Sequence, residues 1–506
     1  MENLEDNNPF FEESYECKRH FFQNSKSDFV LEKGKETSTE IDTEKSKDLI
    51  CCHIYSIMHN SSEEPFIFIT DTEKVSENSS KHFTVYIIRM KGFEVRRRYS
   101  EFESLRVSLS RLFPTAIVPP IPEKSNMYLP VSSARAKKHE NIINQRKRML
   151  QVFLNRCAFH PILNKSHVFH CFLDENISWQ QVLISPPISL LPQNILMASP
   201  LNPYSCTNDP TYQCLPIPSS NAKLINPNNK NEIKFFELEN KIKKIEEIIR
   251  NDIEKVNKSI IKNIQGLADN YSELGAVYNA FSLTEPSPLA SKIESFGQAN
   301  DLNFHSNCEL IENLNFILSE PLKELAQFHE IARSRLIYKR QKALQYEIIV
   351  DILNQNKNVL DTLEKSEIEA QKIESSLARL NTSVSSSSAL NSDECTEQDK
   401  EQLKKTKYSL FERFTTAMKD MIDTDSTSSR KKSIEKIYEK ISLLENALKV
   451  TKKDASIAAE AITEELKRFQ DIVRKDYCEL MINVGKCYIE WAKKNIKIWE
   501  DIDCSI

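Results

Sequence analysis

Gly92-Phe93-Glu94-Val95-Arg96-Arg97-Arg98-Tyr99-Ser100-Glu101-Phe102-Glu103 reads as a strand that gives way to a helix, with three arginines at the change. Successive side chains of an extended strand point to opposite faces, so Arg96 and Arg98 share one face and Arg97 takes the other. From Ser100 the pattern is helical. Phe102, Leu105, Leu109 and Leu112 form one apolar face, Ser100 is placed to cap it with Glu103 closing a capping box, and Pro114 ends it. The unpaired N–H groups and the positive dipole end of that helix converge near Arg98 and Tyr99, a position suited to an anion. Arg98 is able to fork onto a phosphate, and Tyr99 to lay a ring face against a sugar-like ring. The plainer alternative pairs the arginines with Glu94 or Glu101 on the surface.

Upstream, Phe66–Thr70 and Phe83–Arg89 read as two further strands, with turns at Asn78-Ser79-Ser80 and Met90-Lys91-Gly92. Downstream comes a proline-rich hook, Pro119-Pro120-Ile121-Pro122-Glu123-Lys124, then a helix over about Ala134–Cys157. Residues 50–176 therefore read as an α+β domain with a small antiparallel sheet.

Charge is segregated along the chain. Residues 1–50 hold 13 Asp/Glu against 7 Lys/Arg, while residues 91–148 hold 13 Lys/Arg against 5 Asp/Glu. A basic patch attracts an anionic surface through its own field, whatever the global net charge of −5. Residues 1–49 read as a disordered acidic tail. The six glycines are scattered, which excludes phosphate-cradling glycine loops. No catalytic constellation, cofactor motif or nucleic-acid module is found. The cysteines show no C-x-x-C, and Cys51-Cys52 has no metal-ligand spacing. They read as reduced thiols of a cytoplasmic protein. His167 and His170, three apart on a short helix, lack a third ligand at metal-site spacing and read as structural.

Residues 177–230 contain nine prolines and read as a linker or a loosely packed strap. Residues 231–506 switch to a helical period. It begins with Phe235, Leu238, Ile242, Ile245 and Ile249, pauses at Glu285-Pro286-Ser287-Pro288, and resumes from about Ile293 to Leu380 and again from Ser433. Pro321 is expected to kink or break the middle stretch. Helices this long reach on the order of 80 to 130 Å, so an elongated all-α three-helix bundle is expected, interrupted by an insert at 381–432.

Arg-Arg-Tyr-Ser-Glu-Phe, then Pro-Pro-Ile-Pro-Glu-Lys, then a basic helix with Arg146, Leu150 and Phe153, together resemble a PX (phox homology) domain over roughly residues 64–176. The resemblance implies a site for phosphatidylinositol 3-phosphate. In it Arg98 meets the 3-phosphate, Tyr99 lies under the inositol, Lys124 meets the 1-phosphate and Arg146 holds the 4- and 5-hydroxyls. The helical half after such a domain is similar to the BAR region of PX-BAR sorting nexins. The wording around Glu273-Leu274-Gly275 and Ser295-Phe296-Gly297, with the serine-rich gap, looks like the fungal autophagy-related members. The resemblance implies a peripheral protein of endosomal and pre-autophagosomal membranes, without enzymatic activity. It also implies pairing with itself or with another sorting nexin, and work in endosome-to-Golgi retrieval and selective autophagy. A soluble coiled-coil scaffold is the alternative.

Three further segments leave two readings each. Met127, Tyr128 and Leu129 cover a core or insert into a membrane. Phe411, Phe414 and Met418 share one face of a possible helix over 400–422, either bundle core or an interfacial amphipathic helix. Arg333, Arg335, Lys339, Arg340 and Lys342 form a basic run that is either a solvated face or a membrane-facing one.

Overall fold

The computed structural model describes residues 52–59, 67–77, 81–124, 133–205, 209–222, 230–383 and 427–503. The expected acidic tail, the loop carrying Met127, Tyr128 and Leu129, and most of the 381–432 insert, with Phe411, Phe414 and Met418, lie outside them.

A short helix α1 (His53–His59) precedes an antiparallel sheet of β1 (Phe68–Glu77), β2 (Lys81–Met90) and β3 (Phe93–Arg98) in that order. β1 runs further than the apolar run Phe66–Thr70 suggests. A register shift follows Ile69, and the remainder, rich in polar residues, pairs with β2 as far as Glu77. That half contributes little to the core, so hydrophobicity does not signal it. β2 and β3 meet in a two-residue turn in which Lys91 and Gly92 both have positive φ, +42° and +90°. Turns of this kind match the twist of paired strands, and glycine accepts the backbone at no steric cost. The outer edge of β1 is covered by side chains. Asn155 accepts from the Ile67 N–H at 2.9 Å and donates back to its carbonyl, and Gln151 accepts from the Ile69 N–H at 2.9 Å.

α2 (Tyr99–Leu112) begins one residue earlier than its expected cap at Ser100. Arg98 is the cap residue, and its backbone N–H donates to the Glu101 carboxylate at 2.9 Å, so Glu101 rather than Glu103 closes the first turn. Phe102, Leu105 and Leu109 are fully buried. They pack with Leu150, Phe153 and Leu154 of α3 (Ser133–Ala158) and with Phe169 and Phe172 of α4 (His167–Leu173). α5 (Trp179–Ile184) closes this core, its Trp179 indole donating to the Ser104 hydroxyl at 2.7 Å.

The proline-rich stretch is neither linker nor loose strap where it is described. Its 3₁₀ turns and α6 (Pro210–Gln213) bury Leu196, Ala198, Tyr212 and Leu215 against the helical half, and Arg111 of α2 holds the Pro192 carbonyl at 2.8 Å. Prolines that cannot join a helix still pack, and their carbonyls accept bonds from neighbours.

The helical half contains α7 (Lys230–Glu247), α8 (Glu254–Ser282), α9 (Leu289–Leu314), α10 (Glu320–Ser383) and α11 (Thr427–Asp503). One π-helical turn, Ile248–Ile253, joins α7 to α8, and another, Asn315–Ser319, joins α9 to α10. The second lies immediately before Pro321, where the missing N–H would otherwise break the ladder. The core runs between Leu325, Phe328 and Leu336 of α10, Ile462, Leu466 and Phe469 of α11, and Ile242 and Ile249. Gly275 and Gly297 sit tightly between α8 and α9: a Cβ on Gly275 would collide with Asp301 and one on Gly297 with Asn279. The fold class is thus an α+β domain with a small antiparallel sheet, followed by an all-α bundle of very long helices. Among the described residues no helix is long and apolar enough to cross a membrane.

Candidate functional site

The three arginines at the end of β3 meet three different fates. Arg96 is exposed and pairs with Glu73 at 3.4 Å and Glu94 at 3.7 Å. Arg97 points the other way, as strand alternation requires, and is buried. Its guanidinium donates to the carbonyls of Phe172 (2.9 Å), Cys171 (3.3 Å), Asp174 (3.0 Å) and Ile177 (3.4 Å). These are the loose carbonyls at the end of α4, so Arg97 caps a helix terminus. Burial lowers its pKa, with nearby carboxylates opposing. Arg98 is half-buried, and its guanidinium lies 5.7 Å from the Phe83 ring centre. Among the described residues its guanidinium has no polar partner.

Tyr99 follows on the first turn of α2. Its hydroxyl donates to the Pro122 carbonyl of the hook, and the Arg146 guanidinium from α3 stacks over its ring at 4.9 Å. Burial raises the phenol pKa, Arg146 opposing, so the ring stays neutral. Arg146 is itself buried, donates to the Glu123 carbonyl at 3.3 Å, and hydrogen-bonds the Tyr86 hydroxyl of β2. Lys124, at the end of the hook, is exposed and stands 3.7 Å from Glu103. Arg98, Tyr99, Lys124 and Arg146 therefore surround the head of α2 from one strand end, one hook and one helix. Tyr99, Arg146 and the hook are in direct contact, the Arg98 guanidinium lies over Phe83 instead, and Lys124 leans toward Glu103. Arg106 belongs to the same scaffold although its spacing gives no hint of it: it binds the Pro119 carbonyl at 3.1 Å and fixes the start of the hook.

The basic run on α10 faces inward, against the expectation of a solvated or membrane-facing surface. Lys339 is buried beneath Glu232 and over the Phe235 ring, and Arg340 pairs with Glu239 at 2.5 Å. Lys342 is 1% exposed, with Asp454 at 3.0 Å and the carbonyls of Leu196 and Ala198 at 3.1 and 2.8 Å. Arg333 pairs with Glu246, and Arg335 donates to the Pro114 carbonyl. Carboxylates on α7 and α11, carbonyls of the strap and the Pro114 carbonyl after α2 consume the run.

The sheet domain is joined to the bundle by buried charge. Glu465 of α11 accepts from the Ile117 N–H and meets His160, both at 2.9 Å, and it also binds Arg468. Burial alone would raise the Glu465 pKa, but His160 and Arg468 hold it down at about 2. Arg156 bridges Glu324 of α10 and Asp476 of α11, both at 2.7 Å.

A PX domain model matches residues 85–176, which include Arg98, Tyr99, Lys124 and Arg146. Sorting nexin-41 of Yarrowia lipolytica is 38% identical over 455 residues, covering 88% of this chain and 80% of that protein. Autophagy-related protein 20 of Gibberella zeae is 34% identical over 514 residues, covering 86% and 83%. The cryo-EM structure of the SNX-BAR Mvp1 tetramer is similar with a TM-score of 0.48 and 14% identity, over 86% of this chain and 99% of that one. With this identity sustained along nearly the whole chain, the protein belongs to the fungal sorting nexin family that includes Sorting nexin-41 and Autophagy-related protein 20.

Proposed function

We propose that this chain is a peripheral membrane protein that reads phosphatidylinositol 3-phosphate through Arg98, Tyr99, Lys124 and Arg146. The observation that carries this is the fate of the arginine triplet. Two guanidiniums are spent on protein partners, and the third, on Arg98 immediately before Tyr99, lies over the Phe83 ring with no polar partner among the described residues. A forked phosphate contact there needs no bond to be broken first. Related proteins are named for sorting and for autophagy, which supports a place in endosomal protein transport and selective autophagy, on endosomal and pre-autophagosomal membranes.

Dimerisation through the helical half, BAR-fashion, is part of the same reading. Leu283 is 87% exposed and Val277 64%, with Met481, Ile489 and Ile496 also bare. Exposed apolar side chains in this number suit a partner bundle, whether a second copy or another sorting nexin. Two pockets on one assembly would raise avidity for a membrane and let the rod respond to its curvature. Met127, Tyr128 and Leu129 beyond the hook, and Phe411, Phe414 and Met418 of the insert, are the proposed apolar contacts with lipid.

Sedimentation with liposomes carrying each phosphoinositide, for wild type and Arg98→Ala, tests the reading. The wild type should pellet with phosphatidylinositol 3-phosphate and the variant should stay in solution. Equal pelleting of both would overturn it. A soluble coiled-coil scaffold is the second reading, favoured by one observation: the basic run of α10 is internal and offers a membrane nothing. Under that reading Arg98→Ala leaves cellular location unchanged.

A further inference from the structure

α1 and α4 bring together a cysteine and two histidines that the sequence keeps far apart. The Cys52 sulfur and one ring nitrogen each of His167 and His170 all lie within 4.8 Å of one another. A fourth donor stands next to them: the Cys171 sulfur is 3.4 Å from His167 Nε2. Two ligands of one tetrahedral zinc, at about 2.0–2.1 Å for nitrogen and 2.3 Å for sulfur, are about 3.6 Å apart. The His167–Cys171 pair already has ligand spacing, and Cys52, His167 and His170 need only a contraction of about an ångström, whereas Cys171 stands outside their mutual 4.8 Å group and has to shift toward Cys52 and His170 to join.

The surroundings are those of ligands held in place. His170 is fully buried, its Nε2 is 2.7 Å from the Asn164 carbonyl, and the Tyr55 ring sits edge-on at 5.7 Å. A histidine that gives one N–H to a backbone carbonyl turns the lone pair of its other nitrogen outward, the usual arrangement behind a metal-bound imidazole. Cys52 accepts from the Tyr55 N–H at 3.5 Å. Cys171 is buried and belongs to the turn whose carbonyl Arg97 holds. His167 is exposed and forms the mouth of the cluster.

We propose that Cys52, His167 and His170, completed by a shift of the adjacent Cys171, form a binding site for a zinc-class divalent cation that staples α1 to α4. A mixed sulfur and imidazole set, three donors in mutual reach with Cys171 beside His167 as the fourth, selects zinc over hard cations such as calcium or magnesium. Each thiol releases a proton to solvent when the cation binds. The staple fastens the segment before the sheet to the helix on which Arg97 leans, and it does not depend on the membrane reading.

The full chain, purified without chelator, tests this directly by elemental analysis and by thermal melting with and without EDTA. Cys52→Ser/His167→Ala is the comparison. Wild type should hold about one equivalent of zinc more than the double variant, and EDTA should lower its melting temperature but not the variant's. Cobalt-loaded wild type should show a sulfur-to-cobalt charge-transfer band that Cys52→Ser loses. If the double variant does not fold, His167→Ala, at the exposed ligand, keeps the test alive: it should bind zinc at least ~10-fold more weakly. Equal zinc in wild type and variant, or a wild-type melt indifferent to both zinc and chelator, would overturn the site.

Discussion

Two basic clusters look alike on paper, the triplet at the end of β3 and the run from Arg333 to Lys342 on α10. In the folded chain they are opposites. Every named member of the α10 run is bound to a carboxylate or a carbonyl of a neighbouring element, and Lys339 and Lys342 have left the surface altogether. At β3 two arginines are consumed and Arg98 is left over. Local charge density therefore says little about an anion site. What matters is how many cations remain after the protein's own acceptors are filled.

The sharpest break of this comparison is at Lys342. Lys342→Met leaves Asp454 buried without its cation and should cost about 3–5 kcal/mol in denaturant unfolding. Asp454 is already held above its ordinary 3.8, by burial first, with Lys342 opposing. Without Lys342 the folded chain keeps that proton more firmly than the unfolded one. The deficit should therefore be smallest below pH 3.8 and grow as the pH rises. Replacing Lys339, Arg340 and Lys342 together by Glu should give unfolded or insoluble protein. A soluble triple variant with a wild-type melt would contradict their interior role.

Arg97→Met should come next, losing about 2–3 kcal/mol of stability because the carbonyls at the end of α4 lose their donor. Its neighbour should behave in reverse. Arg98→Ala should change the unfolding free energy by less than about 0.5 kcal/mol, yet weaken binding to phosphatidylinositol 3-phosphate liposomes by roughly 10- to 100-fold. A destabilised Arg98→Ala, or an Arg97→Met that folds well and binds poorly, would erase the distinction. Lys124→Ala should have the smallest effect, about 1 kcal/mol of membrane affinity, since an exposed lysine acts as a point charge near the surface. Surface plasmon resonance on captured liposomes resolves a difference of that size.

The opposite faces of Arg97 and Arg98 and the apolar face of α2 were legible in the sequence because their signals are local, while Lys124 and Arg146 came from the family resemblance. Strand alternation alone places Arg97 opposite Arg98, and the hook and the α2 face follow from neighbouring residues. The long helices were legible from their period. What escaped is long-range. Nothing near Lys342 announces Asp454 on another helix, and nothing near His167 and His170 announces Cys52 at the opposite end of the domain. The strap at 177–222 escaped for a related reason. Its prolines suppress any period, while its burial is decided by the surfaces it crosses. The second half of β1 is polar, so only its ladder with β2 reveals it.

Arg156 is clamped by carboxylates from two long helices, and Glu465 grips both the Ile117 backbone and His160, so the sheet domain is tied to the bundle at two buried points. α11 has 77 residues, about 115 Å at ~1.5 Å per residue. The anchor at Glu465 lies 38 residues from the Thr427 end of α11, about 57 Å away, so a tilt of about 5° imposed at the docked domain carries that tip through roughly 5 Å. On the proposed lipid reading the helical half is a pointer: the plane against which the head of α2 settles would set its pitch, and a small change of footing there would be amplified at the tip.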